Sequence, residues 1–339
     1  MSEKLYRVAV LGGGSFGTAI ANIVADNGHP VHLWLRSEER ALEINEKHEN
    51  EAYLPGIALN PALRATTDLA TAVESADIVF VAVPSKSCRE VCRTLAGLLS
   101  DNCILVSTTK GIEADGFKLM SQVIHEEIPN ARLGVMSGPN LAKELADRQI
   151  TATVIASQDT EVTEAIQTLL QCSYFRVYAG EDTYGLELCG ALKNVYAICS
   201  GIAAAMGVGS NTQGVLLTRS LAEMCRFAVN KGADPMTFMG LAGVGDLFVT
   251  CTSPLSRNYR VGFALGQGKD LNAVVAELGQ VAEGVNTLRL LKDQAEQLGV
   301  YMPLASGLYD IIYNEKSLDD VVANMMSADQ TRDVDFSLR

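Results

Sequence analysis

The sequence predicts an α/β domain followed by an all-helical domain, and one change of pattern separates the two. Up to about residue 182, short apolar runs alternate with helix-like segments, which is typical of a parallel sheet with helices on both faces. Beyond that point, long alanine- and leucine-rich helical segments replace the strand-like runs. A chain of 339 residues is long enough for two such domains. We therefore expect domain boundaries of 1–182 and 183–339.

The predicted strands are mostly continuous apolar runs, as expected where both faces of a strand are buried. They occupy residues 6–12, 31–35, 77–84, 103–108, 132–138, 151–157 and 175–180. A helix is predicted at about 16–26, before an Asn-Gly stop signal. Four helical segments are predicted in the second domain, at 183–205, 211–231, 271–279 and 284–298.

Composition excludes several classes of protein. The net charge of −13 at pH 7 argues against a nucleic-acid partner, since phosphate contacts need a basic surface. The sequence shows neither an apolar run of membrane-spanning length nor a signal peptide, so we expect no membrane span. The eight cysteines form no C-x-x-C pair and the four histidines lack zinc-site spacing. We expect no metal site and a cytoplasmic, reducing location.

A glycine motif follows the first predicted strand and opens the first predicted helix. Within VAVLGGGSFGTAIA, Gly12 permits a tight turn, Gly14 lets the backbone approach a pyrophosphate, and Gly17 lets helix and strand pack closely. The alternative is a glycine turn without a ligand. In this context the motif favours a Rossmann-type dinucleotide-binding domain.

The second strand predicts which dinucleotide is preferred. NAD-binding proteins place an acidic residue at the end of this strand to hold the ribose hydroxyls, but Arg36 stands here. An arginine pairs with a 2′-phosphate, so we expect NADP to be preferred over NAD. The alternative is a solvated arginine, and the acidic Glu38 and Glu39 follow closely.

Two further strand ends carry candidate ligands. Lys110 follows the strand at 103–108, and Gly138 and Asn140 follow the strand at 132–138. The carboxyl edge of an open α/β sheet is where ligands bind. A helix beginning near Asn140 would present free N–H groups to an anion.

The second domain places a lysine inside an apolar helix. The neighbours of Lys193 at helical spacing include Cys189, Gly190 and Ala197, which leave a recess that a substrate could enter. The alternative is a structural lysine whose ammonium reaches the surface.

Two more segments of this domain carry polar groups. Asp246 stands in a glycine-rich turn that leads toward Thr250, and Ser256 is a predicted helix N-cap ahead of Arg257 and Asn258. An arginine, an amide and exposed N–H groups together form a phosphate cradle. The alternatives are a capping aspartate and a surface arginine.

The order and spacing of eight segments resemble a known family over about residues 5–315. The segments are GGGSFGTA, VAVPS, TTKGIE, SGPNLAKE, GALKNVYAI, AGVGDLFVTC, SRNYRVG and GQVAEG. Together they resemble the bacterial NAD(P)-dependent glycerol-3-phosphate dehydrogenases. The resemblance implies reduction of dihydroxyacetone phosphate to sn-glycerol 3-phosphate for phospholipid synthesis.

The resemblance also implies roles for individual residues, with Lys193 as the proton donor and acceptor. It implies substrate contacts at Lys110, Gly138, Asn140, Lys193, Asp246, Ser256, Arg257 and Asn258. It implies cofactor contacts at Ser15, Phe16, Arg36, Lys110, Ala142, Arg257, Val281 and Glu283, besides the three glycines. Many members carry serine or threonine at Asn140, and some carry tyrosine or tryptophan at Phe16.

An ammonium beside a ketone oxygen stabilises the negative charge that develops during hydride transfer and delivers a proton. An ordinary lysine, with a pKa of about 10.4, is a poor base, so we expect an apolar helix to lower that pKa and Asp246 to oppose the change. We also expect Lys193→Met to fold, because an apolar side chain suits an apolar helix.

Two rival functions stay open at this point. One is another dehydrogenase of the same architecture, acting on 3-hydroxy acids or 6-phosphogluconate, and the other is an NADP-binding sensor without turnover. A homodimer is expected because two-fold dimers are the commonest oligomers.

Overall fold

The structure is a computed structural model that describes residues 4–278 and 283–327. The chain divides into two compact units between Thr183 and Tyr184. The strands of the first unit are β1 (Val8–Leu11), β2 (Val31–Trp34), β3 (Arg64–Thr66), β4 (Ile78–Val81), β5 (Ile104–Ser107), β6 (Ile112–Glu113), β7 (Lys118–Leu119), β8 (Arg132–Ser137), β9 (Thr151–Ala156) and β10 (Phe175–Gly180). Its helices are α1 (Ser15–Asp26), α2 (Glu38–Lys47), α3 (Leu69–Val73), α4 (Ser85–Leu95), α5 (Met120–Glu127), α6 (Ala142–Ala146) and α7 (Thr160–Leu170).

Eight strands of the first unit form one sheet in the order β10-β9-β8-β5-β4-β1-β2-β3. Every residue of β1, β4 and β5 is buried, because helices cover both faces of the sheet. Side chains of α1 and α7 join one buried cluster, and those of α4 and α5 join the other. This arrangement confirms the α/β Rossmann-type fold expected from the continuous apolar runs.

The direction of winding reverses at β1, which pairs in parallel with both β2 and β4. From β1 the chain moves outward to β2 and β3, then returns to β4 on the other side. In open α/β sheets, ligands bind outside the carboxyl ends of the strands at such a switch point. The glycine motif directly follows β1 and therefore lies at this position.

The sheet is not wholly parallel, which differs from the sequence-based expectation. β9 pairs antiparallel with β8, whereas β10 pairs parallel with β9. The connection from β8 to β9 contains only the five-residue helix α6, which is short for a crossover to a parallel neighbour. The chain therefore reverses there, and α7 then provides the crossover to β10.

The second unit is helical throughout its described residues, as the sequence predicts. Its helices are α8 (Thr183–Ala205), α9 (Ser210–Asn230), α10 (Pro235–Phe238), α11 (Asp246–Thr252), α12 (Arg257–Gly266), α13 (Leu271–Leu278), α14 (Glu283–Leu298), α15 (Pro303–Tyr313) and α16 (Leu318–Ser327). One π-helical turn, Leu241–Gly245, precedes α11. The sequence predicts α8, α9, α13 and α14 as helical segments and predicts the start of α12 from its Ser256 cap, but it does not predict α10, α11, α15 or α16.

Most residues of helix α8 are buried. By length and composition it is the one helix within 4–278 and 283–327 that could cross a membrane, whereas the sequence predicts no apolar run of that length. However, 78% of its most apolar 18-residue window is buried inside the protein, as in any core helix. A glycine seam brings α12 against it, because a Cβ at Gly201 or Gly262 would overlap the backbone of the other helix.

Candidate active site

The glycine motif makes a turn that only glycine tolerates. Gly12 adopts a φ of 123°, and a Cβ there would lie 2.5 Å from the carbonyl oxygen of Ala82. A Cβ at Gly17 would overlap the carbonyl oxygen of Gly12, so this residue allows α1 to pack against the turn. A Cβ at Gly14 would meet nothing within 4 Å. The turn is therefore closed on the protein side and open beside Gly14.

Helix α1 begins at this open side. Its N-cap is Gly14, which makes no side-chain capping bond, so the first turn presents backbone N–H groups without a side-chain cap. The hydroxyl of Ser15 donates to the carbonyl oxygen of Tyr53 at 2.8 Å. Phe16 is half-buried against the core cluster. An anion at this terminus would meet backbone donors and the positive end of the helix dipole.

Arg36 lies just beyond the carboxyl end of β2, as the sequence predicts. Its side chain is 63% exposed, and its guanidinium lies 3.8 Å from the carboxylate of the still more exposed Glu90. The neighbouring Ser37 caps α2 by accepting from the N–H of Arg40 at 3.3 Å. A surface pair of this length contributes little stability. The arginine therefore suits a ligand phosphate better than a structural role.

The ends of β5 and β8 come together. The ammonium of Lys110 donates to the carbonyl oxygen of Gly138 at 3.3 Å. The amide nitrogen of Asn140 donates to the hydroxyl of Thr153 at 2.8 Å, while its buried Oδ1 has no partner among the described residues. The expected helix near Asn140 is present and begins two residues later. The N–H of Asn140 closes a turn onto Gly138, and α6 begins at Ala142.

In the second unit, Lys193 is buried on α8 with only 5% of its surface exposed. Its ammonium donates to Oδ1 of Asp246 at 2.5 Å and to the hydroxyl of Thr250 at 2.7 Å. Thr250 in turn donates to the same carboxylate oxygen at 3.2 Å. The lysine does not reach the surface, so the alternative of a snorkelling structural lysine does not fit.

Asp246 owes its position to the π-helical turn. A Cβ at Gly243 would overlap the backbone of Phe238, so the glycine lets the turn pack directly on α10. The N–H of Gly245 bonds to the carbonyl of Gly240 five residues earlier. Single π turns inside helices occur frequently at functional sites. Here the turn ends at Asp246, which begins α11 and lies one turn before Thr250.

Helix α12 begins as the sequence predicts. Ser256 is its N-cap and accepts from the N–H of Tyr259 at 3.3 Å. Arg257 is the first helical residue and is exposed. A cation and backbone N–H groups therefore stand together at this helix terminus.

Asn258 has a different environment from the one expected of a phosphate ligand. Its amide nitrogen donates to Oδ1 of Asn194 at 3.0 Å, and its own Oδ1 accepts from the N–H of Gly284 at 3.1 Å. These bonds connect α8, α12 and the start of α14. Glu283 is the first residue of α14 and is half-buried, whereas Val281 lies outside the described residues.

The sequence did not predict the roles of two buried polar residues, Asn50 and Glu223. Asn50 is completely buried against the glycine turn, but it stands in the polar segment EKHENEAYLPG, which has the pattern of an ordinary loop. Glu223 on α9 accepts from the backbone N–H groups of Leu304 and Ala305 and from the hydroxyl of Tyr196. Burial raises the pKa of this carboxyl to about 7. Partners this distant in sequence leave no local signal.

Known proteins match both units. The chain matches the family models described as NAD-dependent glycerol-3-phosphate dehydrogenase N-terminus, over residues 7–163, and C-terminus, over residues 182–323. It is 56% identical over 329 residues to glycerol-3-phosphate dehydrogenase (NAD(P)+) of Azotobacter vinelandii, covering 97% of this chain and 96% of that protein. It is 55% identical over 330 residues to the corresponding enzyme of Teredinibacter turnerae, and the match covers 97% of each protein.

A solved structure agrees with these matches. The crystal structure of glycerol-3-phosphate dehydrogenase from Coxiella burnetii superposes with a TM-score of 0.91 at 33% identity. The match covers 96% of this chain and 99% of that chain.

Proposed function

The chain belongs to the NAD-dependent glycerol-3-phosphate dehydrogenase family, and on that premise we propose that it catalyses the reversible reduction of dihydroxyacetone phosphate to sn-glycerol 3-phosphate. The reaction uses NAD(P)H and supplies glycerophospholipid synthesis. The observation that carries the proposal is the buried Lys193, whose ammonium bonds to Asp246 and Thr250. A proton donor held this firmly suits a ketone reduction.

The first unit has the features that a dinucleotide requires. The cradle beside Gly14 is open, and side chains at Gly12 and Gly17 would fill the turn beneath it. The first turn of α1 supplies N–H donors for the diphosphate. When bound, the cofactor supplies the hydride. We assign cofactor binding to the predicted domain 1–182 and substrate binding to the predicted domain 183–339. Cofactor contacts by Arg257, Val281 and Glu283 remain predictions from the resemblance.

The second unit contains the group that transfers the proton. As the substrate oxygen gains negative charge, the ammonium of Lys193 stabilises that charge and then delivers its proton. Asp246 and Thr250 hold the ammonium in one position, which spares the cost of ordering a flexible side chain during the reaction. In the oxidative direction the same nitrogen accepts the proton of the alcohol.

The preference for NADP rests on Arg36. An exposed guanidinium at the end of β2 pairs with a 2′-phosphate, and Arg36 stands where NAD-binding proteins carry the acidic residue that would repel this phosphate. The substrate phosphate is assigned to the terminus of α12, through Ser256, Arg257 and the remaining donor capacity of Asn258. Lys110, Gly138 and Asn140 are assigned to the substrate as well.

Location and assembly complete the proposal. All eight cysteines are free thiols, which suits the reducing cytoplasm. The second unit exposes Met236, Met239 and Phe248 by more than half of their surface, and a homodimer would cover such side chains. Light scattering measures the oligomeric state directly, and a monomeric mass would contradict the homodimer.

The decisive test is the loss of NADPH absorbance with dihydroxyacetone phosphate as the sole ketone. Parallel assays contain unphosphorylated dihydroxyacetone, a 3-hydroxy acid with NADP, or 6-phosphogluconate with NADP. We expect turnover with dihydroxyacetone phosphate far above that with the other compounds. Binding of NADPH without any turnover would instead indicate a sensor.

A further inference from the structure

The segment between α2 and β3 is attached to the glycine turn at two points. Asn50 is completely buried, and its Nδ2 donates to the carbonyl oxygen of Gly13 at 3.1 Å and to the hydroxyl of Thr18 at 2.8 Å. Three residues later, the carbonyl oxygen of Tyr53 accepts from the hydroxyl of Ser15 at 2.8 Å. One short segment therefore holds both the turn and the first residues of α1.

The orientation of the Asn50 amide is unambiguous. The carbonyl oxygen of Gly13 can only accept, so the nitrogen of the amide, not its oxygen, must face it. The backbone of Asn50 is fixed as well, because its carbonyl accepts from the N–H groups of Tyr53 at 3.1 Å and Leu54 at 2.8 Å. The side chain thus presents a stationary donor to the glycine turn.

This donor determines where the next N–H group points. In a planar trans peptide the C=O and the following N–H point in opposite directions. Since Asn50 holds the carbonyl oxygen of Gly13, the N–H of Gly14 is directed away from Asn50. The surroundings of Gly14 itself are open, since a Cβ on this residue would meet nothing within 4 Å.

We propose that Asn50 is a positioning residue for dinucleotide binding, which fixes the Gly13–Gly14 peptide so that the Gly14 N–H faces the cofactor diphosphate. Glycine has more conformational freedom than any other residue, so three consecutive glycines would otherwise rotate this peptide freely. Asn50 supplies the constraint from behind and does not itself contact the ligand. The inference rests on the proposed function only for the identity of the ligand.

The chain offers a matched control for this role. Asn45 on α2 also makes two hydrogen bonds through its side-chain amide, to the carbonyl and the N–H of Ala65 at 2.9 and 2.8 Å. These bonds join α2 to β3 and do not involve the glycine turn. Asn45→Ala therefore removes a comparable anchor from the same unit without affecting the Gly13–Gly14 peptide.

The test compares Asn50→Ala and Asn45→Ala with the unmodified enzyme. NADPH affinity is measured by fluorescence titration, alongside kcat at saturating NADPH, the KM for dihydroxyacetone phosphate and a thermal melt. We expect both variants to have a lower melting temperature than the unmodified enzyme. Only Asn50→Ala should weaken NADPH binding. We expect a loss of about tenfold, because the Gly14 N–H would no longer be oriented toward the charged diphosphate. Its kcat at saturating NADPH and its KM for dihydroxyacetone phosphate should stay within about twofold, since the ordered turn forms once the cofactor is bound.

A second pair of variants covers the case in which Asn50→Ala does not fold. Asn50→Asp keeps the size of the side chain and can accept from the hydroxyl of Thr18, but it cannot donate to the carbonyl of Gly13. Asn45→Asp is its control, because it adds the same charge elsewhere in the unit. Unchanged NADPH affinity in the folded Asn50 variants would overturn the inference, as would an equal loss in the matching Asn45 variants. Absence of NADPH binding by the unmodified enzyme would contradict the proposed function itself, which separates the two failures.

Discussion

Lys193 and Asp246 lie 53 residues apart in sequence, and the ammonium nitrogen of one is 2.5 Å from a carboxylate oxygen of the other. Both are buried, at 5% and 2% exposure. Desolvating two charges is expensive, and well-packed apolar side chains often stabilise a protein as well as such a pair does. The pair is therefore better explained by the proposed role of Lys193 as proton donor than by stability.

Replacing the lysine should slow catalysis strongly. Lys193→Met removes the charge and the proton while keeping most of the side-chain length. We expect kcat with saturating NADPH and dihydroxyacetone phosphate to fall by about 10²–10⁴-fold, the usual contribution of general acid catalysis. NADPH binding should persist, because the glycine turn of the first unit is untouched. Stopped-flow or steady-state absorbance at saturating substrates measures the effect.

The structure changes one part of this expectation. Lys193→Met removes the cation that bonds to the buried Asp246 carboxylate, so the single variant should be destabilised even though an apolar side chain suits the helix. The double variant with Asp246→Asn removes both charges and should recover most of the melting temperature. Its turnover should stay as low as that of the single variant. Recovery of turnover to within about threefold of the unmodified enzyme would leave Lys193 with a structural role only.

Two threonines of α11 provide a second test. Thr250 is buried and accepts from Lys193, whereas Thr252 is exposed and donates to the backbone carbonyl of Phe248. Thr250→Val keeps the shape but removes one bond to the ammonium, so we expect kcat to fall by about tenfold. Thr252→Val makes the same chemical change on the same helix and should leave kcat unchanged. Equal effects of both variants on kcat would show that the Thr250 bond does not hold the donor.

Local patterns predicted the parts of the molecule that rest on local physics. Apolar runs located the seven predicted strands to within two or three residues, and the signal is continuous in β1, β4 and β5, where every residue is buried. The capping role of Ser256 and the tight turn at Gly12 follow from the chemistry of single residues. The resemblance to a family then supplied roles that spacing alone left open.

Distant partners could not be predicted in the same way. The Asn258 amide bonds to Asn194, which is 64 residues away in sequence, and the Asn50 amide bonds to a turn 37 residues before it. The chain reverses direction at β9 because the connection from β8 contains only the five-residue helix α6. Each is decided by tertiary packing, which overrides the local preference of the segment.

Cofactor preference should depend on Arg36. Arg36→Asp removes a charge-assisted pair to the 2′-phosphate and adds a repulsive carboxylate, so kcat/KM for NADPH should fall by about 10–100-fold. The value for NADH should change much less, because NADH lacks that phosphate. Initial rates with each cofactor at fixed dihydroxyacetone phosphate give both numbers.

Arg176→Asp is the matched control for Arg36→Asp. Arg176 lies on β10, at the opposite edge of the sheet from β3, and its exposed guanidinium lies over the ring of Tyr178. The substitution makes the same change in net charge far from β2, so both cofactors should be unaffected. Equal kcat/KM values for NADPH and NADH in the unmodified enzyme would end the case for a role of Arg36 in selection.

Recognition of the substrate phosphate should depend on Arg257. Arg257→Ala should lower kcat/KM for dihydroxyacetone phosphate by about 10–100-fold and leave the low rate with dihydroxyacetone unchanged. Arg260 is an exposed arginine one turn later on the same helix, and Arg260→Ala should alter neither value. An unchanged ratio of the two kcat/KM values in Arg257→Ala would mean that another group binds the phosphate.

Glu223 should make the stability of the enzyme dependent on pH. The carboxylate bonds to the first turn of α15, and these bonds and Arg226 lower its pKa, but burial is the larger effect and raises the pKa to about 7 from an ordinary value of 4.5. A raised carboxyl pKa favours the folded state at low pH. The stabilisation is complete below the unfolded pKa and is lost as pH rises through the folded pKa. Between pH 4.5 and 7 the loss corresponds to about 3 kcal/mol.

Glu223→Gln should remove this dependence, because the amide stays neutral throughout and can still accept from the N–H of Leu304. Urea unfolding at several pH values gives the free energy of unfolding for both proteins. We expect the unmodified enzyme to lose about 3 kcal/mol relative to the variant as pH rises from 4.5 to 7, and the difference to stay level above that range. Glu164→Gln, on the exposed side of α7, is the control and should give a constant difference. A constant difference for Glu223→Gln as well would mean that the buried carboxyl ionises equally readily in the folded and unfolded protein, so that its bonds to α15 fully offset its burial.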